Sequence, residues 1–305
     1  MSAKEVDSLL SVGWSGGRTP KACIFGLGLI GGSWAGALYK RGWHVSAVEQ
    51  DPESLQQALN CGWIQEGWTE LPVEIDVDLV IAALPLHQMN DSLDCMMGYL
   101  KSGCIVTDVG SIKTEISLKS PGFAQRGIYF IGGHPMAGSE RSGFTAAESE
   151  LFRGYPYVLT PDEDCPSQVV DKLKVLLEGL GAKVIMRNAA KHDREVAMIS
   201  HIPHMLAVAL TLAARDVSDQ GLSALELAGR SFRDLTRIAD SSSAMWREIL
   251  VKNGPAILEG LKYWQKRIDE LEEFVRNGNR EGIGGAFNQA CLVRESLFKN
   301  DLVEN

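Results

Sequence analysis

Ala22-Cys23-Ile24-Phe25-Gly26-Leu27-Gly28-Leu29-Ile30-Gly31-Gly32-Ser33 runs an apolar strand through glycines spaced G-x-G-x-x-G and on into a helical segment. In that pattern Gly26 permits the tight turn, Gly28 lets the backbone approach a pyrophosphate, and Gly31 lets the helix pack close to the strand. Unbonded N–H groups and the positive helix end then face the phosphates. Glycine turns also arise for purely structural reasons, so the flanking sequence decides. A helix over residues 33–41 stops at Gly42, and the strand at 45–48 ends on Glu49, 18 positions beyond Gly31. A spacing of about 20 is that of the carboxylate that binds a cofactor ribose. Because an acid there repels a 2′-phosphate, the expected cofactor is NAD rather than NADP.

Outward from this turn, short apolar strands alternate with helical segments as far as about Arg187. Further strands are expected at 78–85, 104–108, 129–131, 157–160 and 183–186, in a parallel sheet with helices on both faces. Beyond Asn188 the strand signal stops, and helices are expected at 192–215, 222–239, 244–253 and 255–277 from apolar residues three and four apart. The fold class is therefore α/β: an N-terminal Rossmann-type dinucleotide-binding domain over 20–188, then an all-helical C-terminal domain over 189–305. Residues 1–19 read as a flexible extension. Ligands of such sheets bind outside the carboxyl ends of the strands. The cofactor wall is expected from Gly26, Gly28, Leu29, Ile30, Gly31 and Glu49, with Leu84, Pro85 and Gly110 at the ends of the next two strands.

With 305 residues, 30 basic and 39 acidic, and a net charge of −9, the chain has no electrostatic footprint for nucleic acid or an anionic membrane. An anionic substrate must meet a local basic cluster. Six scattered cysteines without a C-x-x-C pair indicate reduced thiols in a cytoplasm. The first 20 residues lack the apolar core and cleavage pattern of a secretory signal. Residues 196–214 are apolar enough to imitate a membrane span, but Ser200, His201, Pro203 and His204 lie within them and no basic flank orients them. The expected reading is a helix buried between domains or subunits, with a homodimer formed through the helical domain.

His134 leads the catalytic candidates. It is expected just past a strand's carboxyl end, after two glycines that leave room for a flat ring and before a proline that holds it extended. An imidazole there suits the taking or orienting of a hydroxyl proton while hydride leaves the same carbon. Ser111, at the end of the neighbouring strand, could reach the substrate hydroxyl or nicotinamide; it also suits an ordinary helix N-cap. Arg230, Arg233 and Arg237 are three and four apart, so a helix would bring them to one face that could receive a dianionic small molecule. Pairing with Asp234 and Asp240 on a solvated face is the alternative. His201 and His204 lack a third ligand at motif spacing, so no metal is expected. Pro203 should kink its helix.

GLGLIGGS at 26–33, TDVGSIK at 107–113, GGHPMAGSERSG at 132–143, HDREVAMISHIPH at 192–204 and FRDLTRIADSSSAMWREI at 232–249 follow one another along the chain. Together they resemble the successive signatures of the prephenate/arogenate dehydrogenase family of tyrosine biosynthesis. The resemblance implies oxidative decarboxylation of a cyclohexadiene dicarboxylate such as prephenate, with NAD⁺ accepting hydride from the carbinol carbon. It implies that His134 accepts the hydrogen bond or proton of the ring hydroxyl while Ser111 orients that hydroxyl and the nicotinamide. Arg237 would hold the ring carboxylate, with Arg233 beside it. His204 and Ser139 would approach the side chain, Trp246 would shape the wall, and Glu140, Asp193 and Asp234 would form a polar network at the pocket mouth. Two departures stand out. Relatives often have lysine at Arg233, and many carry a C-terminal regulatory ACT domain whose βαββαβ pattern does not occur before Asn305. Feedback by tyrosine through such a domain is therefore not expected. Rival readings are a β-hydroxyacid dehydrogenase, whose catalytic lysine would be followed four residues later by asparagine where Lys191 is followed by Glu195, and a non-catalytic NAD-binding sensor.

Overall fold

The computed structural model describes Trp14 and residues 17–138 and 141–298. Eight strands form one sheet: β1 (Lys21–Phe25), β2 (His44–Val48), β3 (Glu66–Trp68), β4 (Leu79–Ala82), β5 (Ile105–Asp108), β6 (Tyr129–Pro135), β7 (Pro156–Pro161) and β8 (Lys183–Met186). Their order is β3-β2-β1-β4-β5-β6-β7-β8. The order reverses between β1 and β4, which opens a crevice at the carboxyl ends of those two strands.

Both faces of the sheet are buried, which is why its strands read as continuous apolar runs. Ala22, Ile24, Leu79 and Ile81 join one core, while Cys23, Phe25, Val80 and Ala82 join the other. The first core is covered by α1 (Leu29–Tyr39), α2 (Pro52–Asn60) and α6 (Ser167–Gly179), through Trp34, Leu38, Leu55, Leu173 and Leu176. The second is covered by α3 (Leu86–Met96) and α5 (Ser120–Ala124), through Met89, Leu93, Met96 and Phe123; α4 (Thr114–Ser117) adds Ile116. Burying each of these large side chains contributes about 1.5–3 kcal/mol. Helix starts follow local chemistry: Asp51 accepts hydrogen bonds from the N–H groups of Glu53 (3.2 Å) and Ser54 (3.1 Å), with Pro52 in the first turn.

The sheet is not wholly parallel, as the strand pattern had suggested. β7 runs antiparallel to β6, and β8 then pairs parallel with β7. A parallel partner needs a crossover, usually a helix. Among the described residues between β6 and β7 there is only a 3₁₀ turn at Phe144–Ala146, and the chain simply returns alongside itself. β3 has no clear signal in the sequence because it is a three-residue edge strand with no β-branched run.

Asn188 closes the α/β part and caps α7 (Ala189–Val196) by accepting from Lys191 N–H at 3.1 Å. A π-helical segment, Ala197–His201, follows and leads into α8 (Ile202–Val217). Pro203 cannot donate to Ile199, and the wider π turn just upstream accommodates the missing bond. The helical run over 189–220 is long and apolar enough to cross a membrane, and 28% of its most apolar window is buried. Ile202 and Ala207 are buried, but Met198, Ile199, Val208, Leu210 and Leu212 are exposed. Within one chain this helix is therefore buried along only part of its surface.

The helix expected over 222–239 is broken. Ser223 has φ +44° and Gly229 restarts the chain as α9 (Arg230–Thr236), which passes into a 3₁₀ turn, Arg237–Ala239. α10 (Ser243–Lys252) follows, capped by Ser242. The described residues up to Gly254 form one compact unit and those from Pro255 onward another. The second consists, among the described residues, of most of α11 (Gly254–Arg276) and all of α12 (Arg280–Phe298). Most of the expected extension at 1–19 lies outside the described residues. Trp14 meets Trp43 edge-on with ring centroids 5.1 Å apart, and Arg18 pairs with Asp78 at 2.6 Å.

Candidate active site

The glycine turn follows β1. Gly26 has φ +89°, and a Cβ on it would strike the Ala83 carbonyl oxygen; a Cβ on Gly31 would strike the Gly26 carbonyl oxygen. Both positions require glycine. Nothing lies within 4 Å of a Cβ built on Gly28, which caps α1 without a side chain, so the first turn at Leu29 and Ile30 stays open to a ligand. Glu49 Oε2 accepts from Leu27 N–H at 2.6 Å and its Oε1 from Asp51 N–H at 2.9 Å. The carboxylate is thereby held beside the turn. Leu84 lies against Gly26 and Pro85 precedes α3. This cradle has the backbone room and the acid that a dinucleotide requires. Gly110, at the end of the neighbouring strand, donates its N–H to Asp108 Oδ2 at 2.8 Å.

His134 lies inside β6 rather than beyond it, opposite Val158 of β7. The antiparallel partner extends the ladder past the point where β5 stops. The preceding glycines serve close approach, not room for the ring: a Cβ on Gly133 would come within 2.6 Å of the Asp108 carbonyl oxygen and 2.8 Å of Thr107 Oγ1. His134 is half-buried as a residue. Its Nδ1 lies 2.9 Å from His192 Nε2, and His192 Nδ1 lies 2.8 Å from Asp193 Oδ1. Asp193 also accepts from Lys113 N–H and Thr114 N–H, both at 2.8 Å, and so caps α4 from another element. Asp193 is 4% exposed, which removes it from the pocket mouth where it was expected. Ser111, half-buried, does not cap α4, which starts three residues later.

Behind β6 sits a buried ion pair. Lys113 Nζ contacts Asp108 Oδ2 and donates to the Gly133 carbonyl at 2.8 Å, while Asp108 Oδ1 accepts from Gly133 N–H at 3.1 Å. Both side chains are 0% exposed. Desolvation first, then the charges of His192, Lys113 and His201, hold His134 well below its ordinary pKa of 6.5. Burial pushes Asp193 up, but the hydrogen bonds from His192, Thr114 and Lys113 prevail and leave it below its ordinary value.

A second histidine group adjoins the first. Asn253 Nδ2 donates to the Asp193 carbonyl at 2.8 Å and lies 3.0 Å from His201 Nδ1. Desolvation, with His192 and His204 adding to it against Asp193, lowers the His201 pKa to about 4. Trp246 stacks on His204 with centroids 3.8 Å apart and meets His201 edge-on at 5.9 Å. His204 Nδ1 lies 2.8 Å from the Ser200 carbonyl, so it carries the proton and leaves Nε2 as an acceptor; burial lowers this ring's pKa too. His134, His204 and Trp246, far apart in sequence, are thus joined through His192, Asp193, Asn253 and His201. Lys113, Asp108 and Asn253 are the parts that sequence reasoning missed as site residues. Asp108 and Lys113 stand in TDVGSIK and their partners Gly133 and Asp193 in other segments, but nothing local says that these segments meet.

The arginine group is less regular than expected. Arg230 and Arg233 lie on α9, but Arg237 opens the 3₁₀ turn that packs beside α8. Arg230, Arg233 and Arg237 are all exposed. Arg230 pairs with Asp234 at 3.4 Å, whereas Arg233 and Arg237 make no ion pair among the described residues. Ser139 and Glu140 lie outside the described residues.

Taken together, the open cradle and an uncharged imidazole backed by a hydrogen-bonded carboxylate suit hydride removal coupled to proton acceptance from a hydroxyl. Residues 34–186 match the family model described as prephenate dehydrogenase, nucleotide-binding domain, and residues 188–289 match prephenate dehydrogenase, dimerization domain. Prephenate dehydrogenase of Lactococcus lactis subsp. cremoris is 34% identical over 91% of this chain and 77% of its own. The structure of Synechocystis arogenate dehydrogenase is 31% identical, with a TM-score of 0.81, over 91% of this chain and 99% of its own. That of A. aeolicus prephenate dehydrogenase with hydroxyphenyl propionate and NAD⁺ is 27% identical, with a TM-score of 0.85, over 92% and 99%. The chain belongs to the prephenate dehydrogenase family.

Proposed function

We propose that the His134 cluster carries out the NAD-dependent oxidative decarboxylation of prephenate to 4-hydroxyphenylpyruvate in tyrosine biosynthesis. The observation that carries this reading is the uncharged His134 on the strand end, with its Nδ1 already engaged and a dinucleotide cradle in the same sheet. NAD⁺ supplies the hydride acceptor, held through the backbone at Gly26–Gly31 with Glu49 on its ribose. Glu49→Ala should lower the ratio of kcat/KM for NAD⁺ over NADP⁺ by about tenfold or more, the effect of removing one charge-assisted contact. An unaltered ratio would assign the ribose to another residue.

His134 accepts the proton of the ring hydroxyl, Ser111 orients that hydroxyl, and Arg237, with Arg233, binds a substrate carboxylate. His204 presents Nε2 to the side chain and Trp246 forms the wall. Arg237→Ala should raise the KM for prephenate roughly 10- to 100-fold with a smaller change in kcat. An unchanged KM would mean that the arginine faces elsewhere. The β-hydroxyacid dehydrogenase reading fares poorly, since Lys191 is spent on an exposed pair with Glu195 at 3.8 Å. Arogenate is the second reading, favoured by the 31% identity to the Synechocystis enzyme. NADH formation measured in parallel with prephenate and arogenate decides between them, and no NADH with either would sink the assignment.

We read the active form as a cytoplasmic homodimer. The apolar side chains exposed on α8 fall within the segment matched by the dimerization-domain model, and Pro203 with three nearby histidines suits a subunit interface better than lipid.

A further inference from the structure

His134 poses a problem as a proton acceptor. Its ring is desolvated and lies near the buried Lys113 ammonium, so a positive charge on it would be poorly tolerated. From β5 and the start of α4 it is faced by Asp108 and Lys113, from α7 by His192 and Asp193, and from the π segment by His201. Asp108 is engaged with Lys113, and His201 with Asn253. Among the described residues, one route leads from His134 to a carboxylate not engaged by a cation, and it runs through His192.

The hydrogen-bond directions along this route are determined. The Asp193 carboxylate is a pure acceptor, already receiving Lys113 N–H and Thr114 N–H. His192 therefore carries its proton on Nδ1, which donates to Asp193 Oδ1 at 2.8 Å. A neutral His192 then has a bare Nε2, which accepts from His134 Nδ1–H at 2.9 Å. His134 is left with a bare Nε2, the state a proton acceptor needs.

We propose that His192, backed by Asp193, is a positioning residue that fixes His134 as the Nδ1–H tautomer and takes over its proton during turnover. The proposal rests on the reading of His134 given above. As the ring hydroxyl loses its proton to His134 Nε2, the O–H electron pair forms the carbonyl and the carbinol hydrogen leaves as hydride to NAD⁺. His134 Nδ1 passes its own proton to His192 Nε2. The positive charge then lies on His192, in contact with the Asp193 carboxylate, instead of on His134 near Lys113. When the carbon–carboxylate bond breaks and carbon dioxide departs, the bonding pair moves through the ring onto the carbonyl oxygen. That oxygen retakes a proton from His134 Nε2, and His192 Nε2 returns one to His134 Nδ1. Every proton borrowed is returned, so the site needs no path for protons to solvent.

The test uses the full-length enzyme with His192→Gln, His192→Leu and His134→Asn. Glutamine donates to Asp193 and accepts from His134 Nδ1–H, so it keeps the tautomer but cannot take the proton. His192→Gln should bind NAD⁺ normally and lose kcat about 10- to 100-fold, within the range of general-base effects. The acid limb of its kcat/KM profile should move to lower pH, because His134 alone is the weaker base. His192→Leu should lose more, since the tautomer is no longer held. Wild-type kcat in His192→Gln, or a loss with an unmoved acid limb, overturns the relay. Should the variants fail to fold, imidazole ¹⁵N shifts of the unaltered protein at neutral pH decide, and a His134 protonated on Nε2 overturns the proposal. His134→Asn separates the two ideas: near-normal turnover there defeats the reading of His134 itself, whereas an inactive His134→Asn beside a normal His192→Gln defeats only the relay.

Discussion

His134→Asn should cut kcat with prephenate by about 10²–10⁴-fold, the usual contribution of a positioned proton acceptor, while leaving NAD⁺ affinity and the melting temperature close to wild type. Asparagine fits the strand and can still donate from its amide toward His192 Nε2, so β6 and its pairing with β7 should persist. The amide oxygen can accept a hydrogen bond from the substrate hydroxyl but cannot take its proton. The loss should therefore appear in kcat and kcat/KM together, as expected when an interaction made chiefly in the transition state is removed. Steady-state NADH formation and NAD⁺ titration by protein fluorescence measure the two quantities. Turnover within a few-fold of wild type would exclude His134 from the chemistry.

Lys113→Met should destabilise the protein by about 3–5 kcal/mol, the cost of leaving one member of a buried ion pair without the other, and lower Tm by on the order of 10 °C. Neither Lys113 nor Asp108 has exposed side-chain surface. With the ammonium gone, the Asp108 carboxylate keeps only the N–H groups of Gly110 at 2.8 Å and Gly133 at 3.1 Å, and the Gly133 carbonyl loses its donor. Methionine replaces the stem's volume, so the effect reports charge more than a cavity. Adding Asp108→Asn should restore part of the loss, because the side chain then carries no net charge and its one amide oxygen still accepts from one of those two backbone groups. Denaturant unfolding of the single and double variants reads both steps. A loss below about 1 kcal/mol, less than expected for an uncompensated buried charge, would mean that water reaches the pair.

These two residues also mark how far the sequence can be read. His134 stands out because a histidine between Gly-Gly and Pro at the end of an apolar run is a local pattern, and local patterns survive without coordinates. The local reasons for it hold only in part: its glycines allow β5 and β7 to approach, and the residue lies within the strand. Lys113 carries no such signal, since a lone lysine near a strand end is ordinarily solvated. Its burial follows from Asp108, five residues away, pointing into the same face beneath β6. Helical spacing of the arginines at 230, 233 and 237 fails as a guide for the last of them, because the helix ends at Thr236 and Arg237 opens a 3₁₀ turn.

The sequence alone determined what depends on short-range constraint. The glycine turn follows from backbone dihedrals and van der Waals radii, the expectation of NAD from one acid at a fixed distance along the chain, and the switch from strands to helices at Asn188 from the period of apolar residues. Only the tertiary structure decided which groups serve His134. His192 is 58 positions away and Asp193 is 80 positions from the Lys113 N–H it holds. Such pairings depend on how the sheet and α7 pack, and no spacing rule encodes them. The same holds for the antiparallel β7, which sets the end of β6 and hence where the imidazole stands.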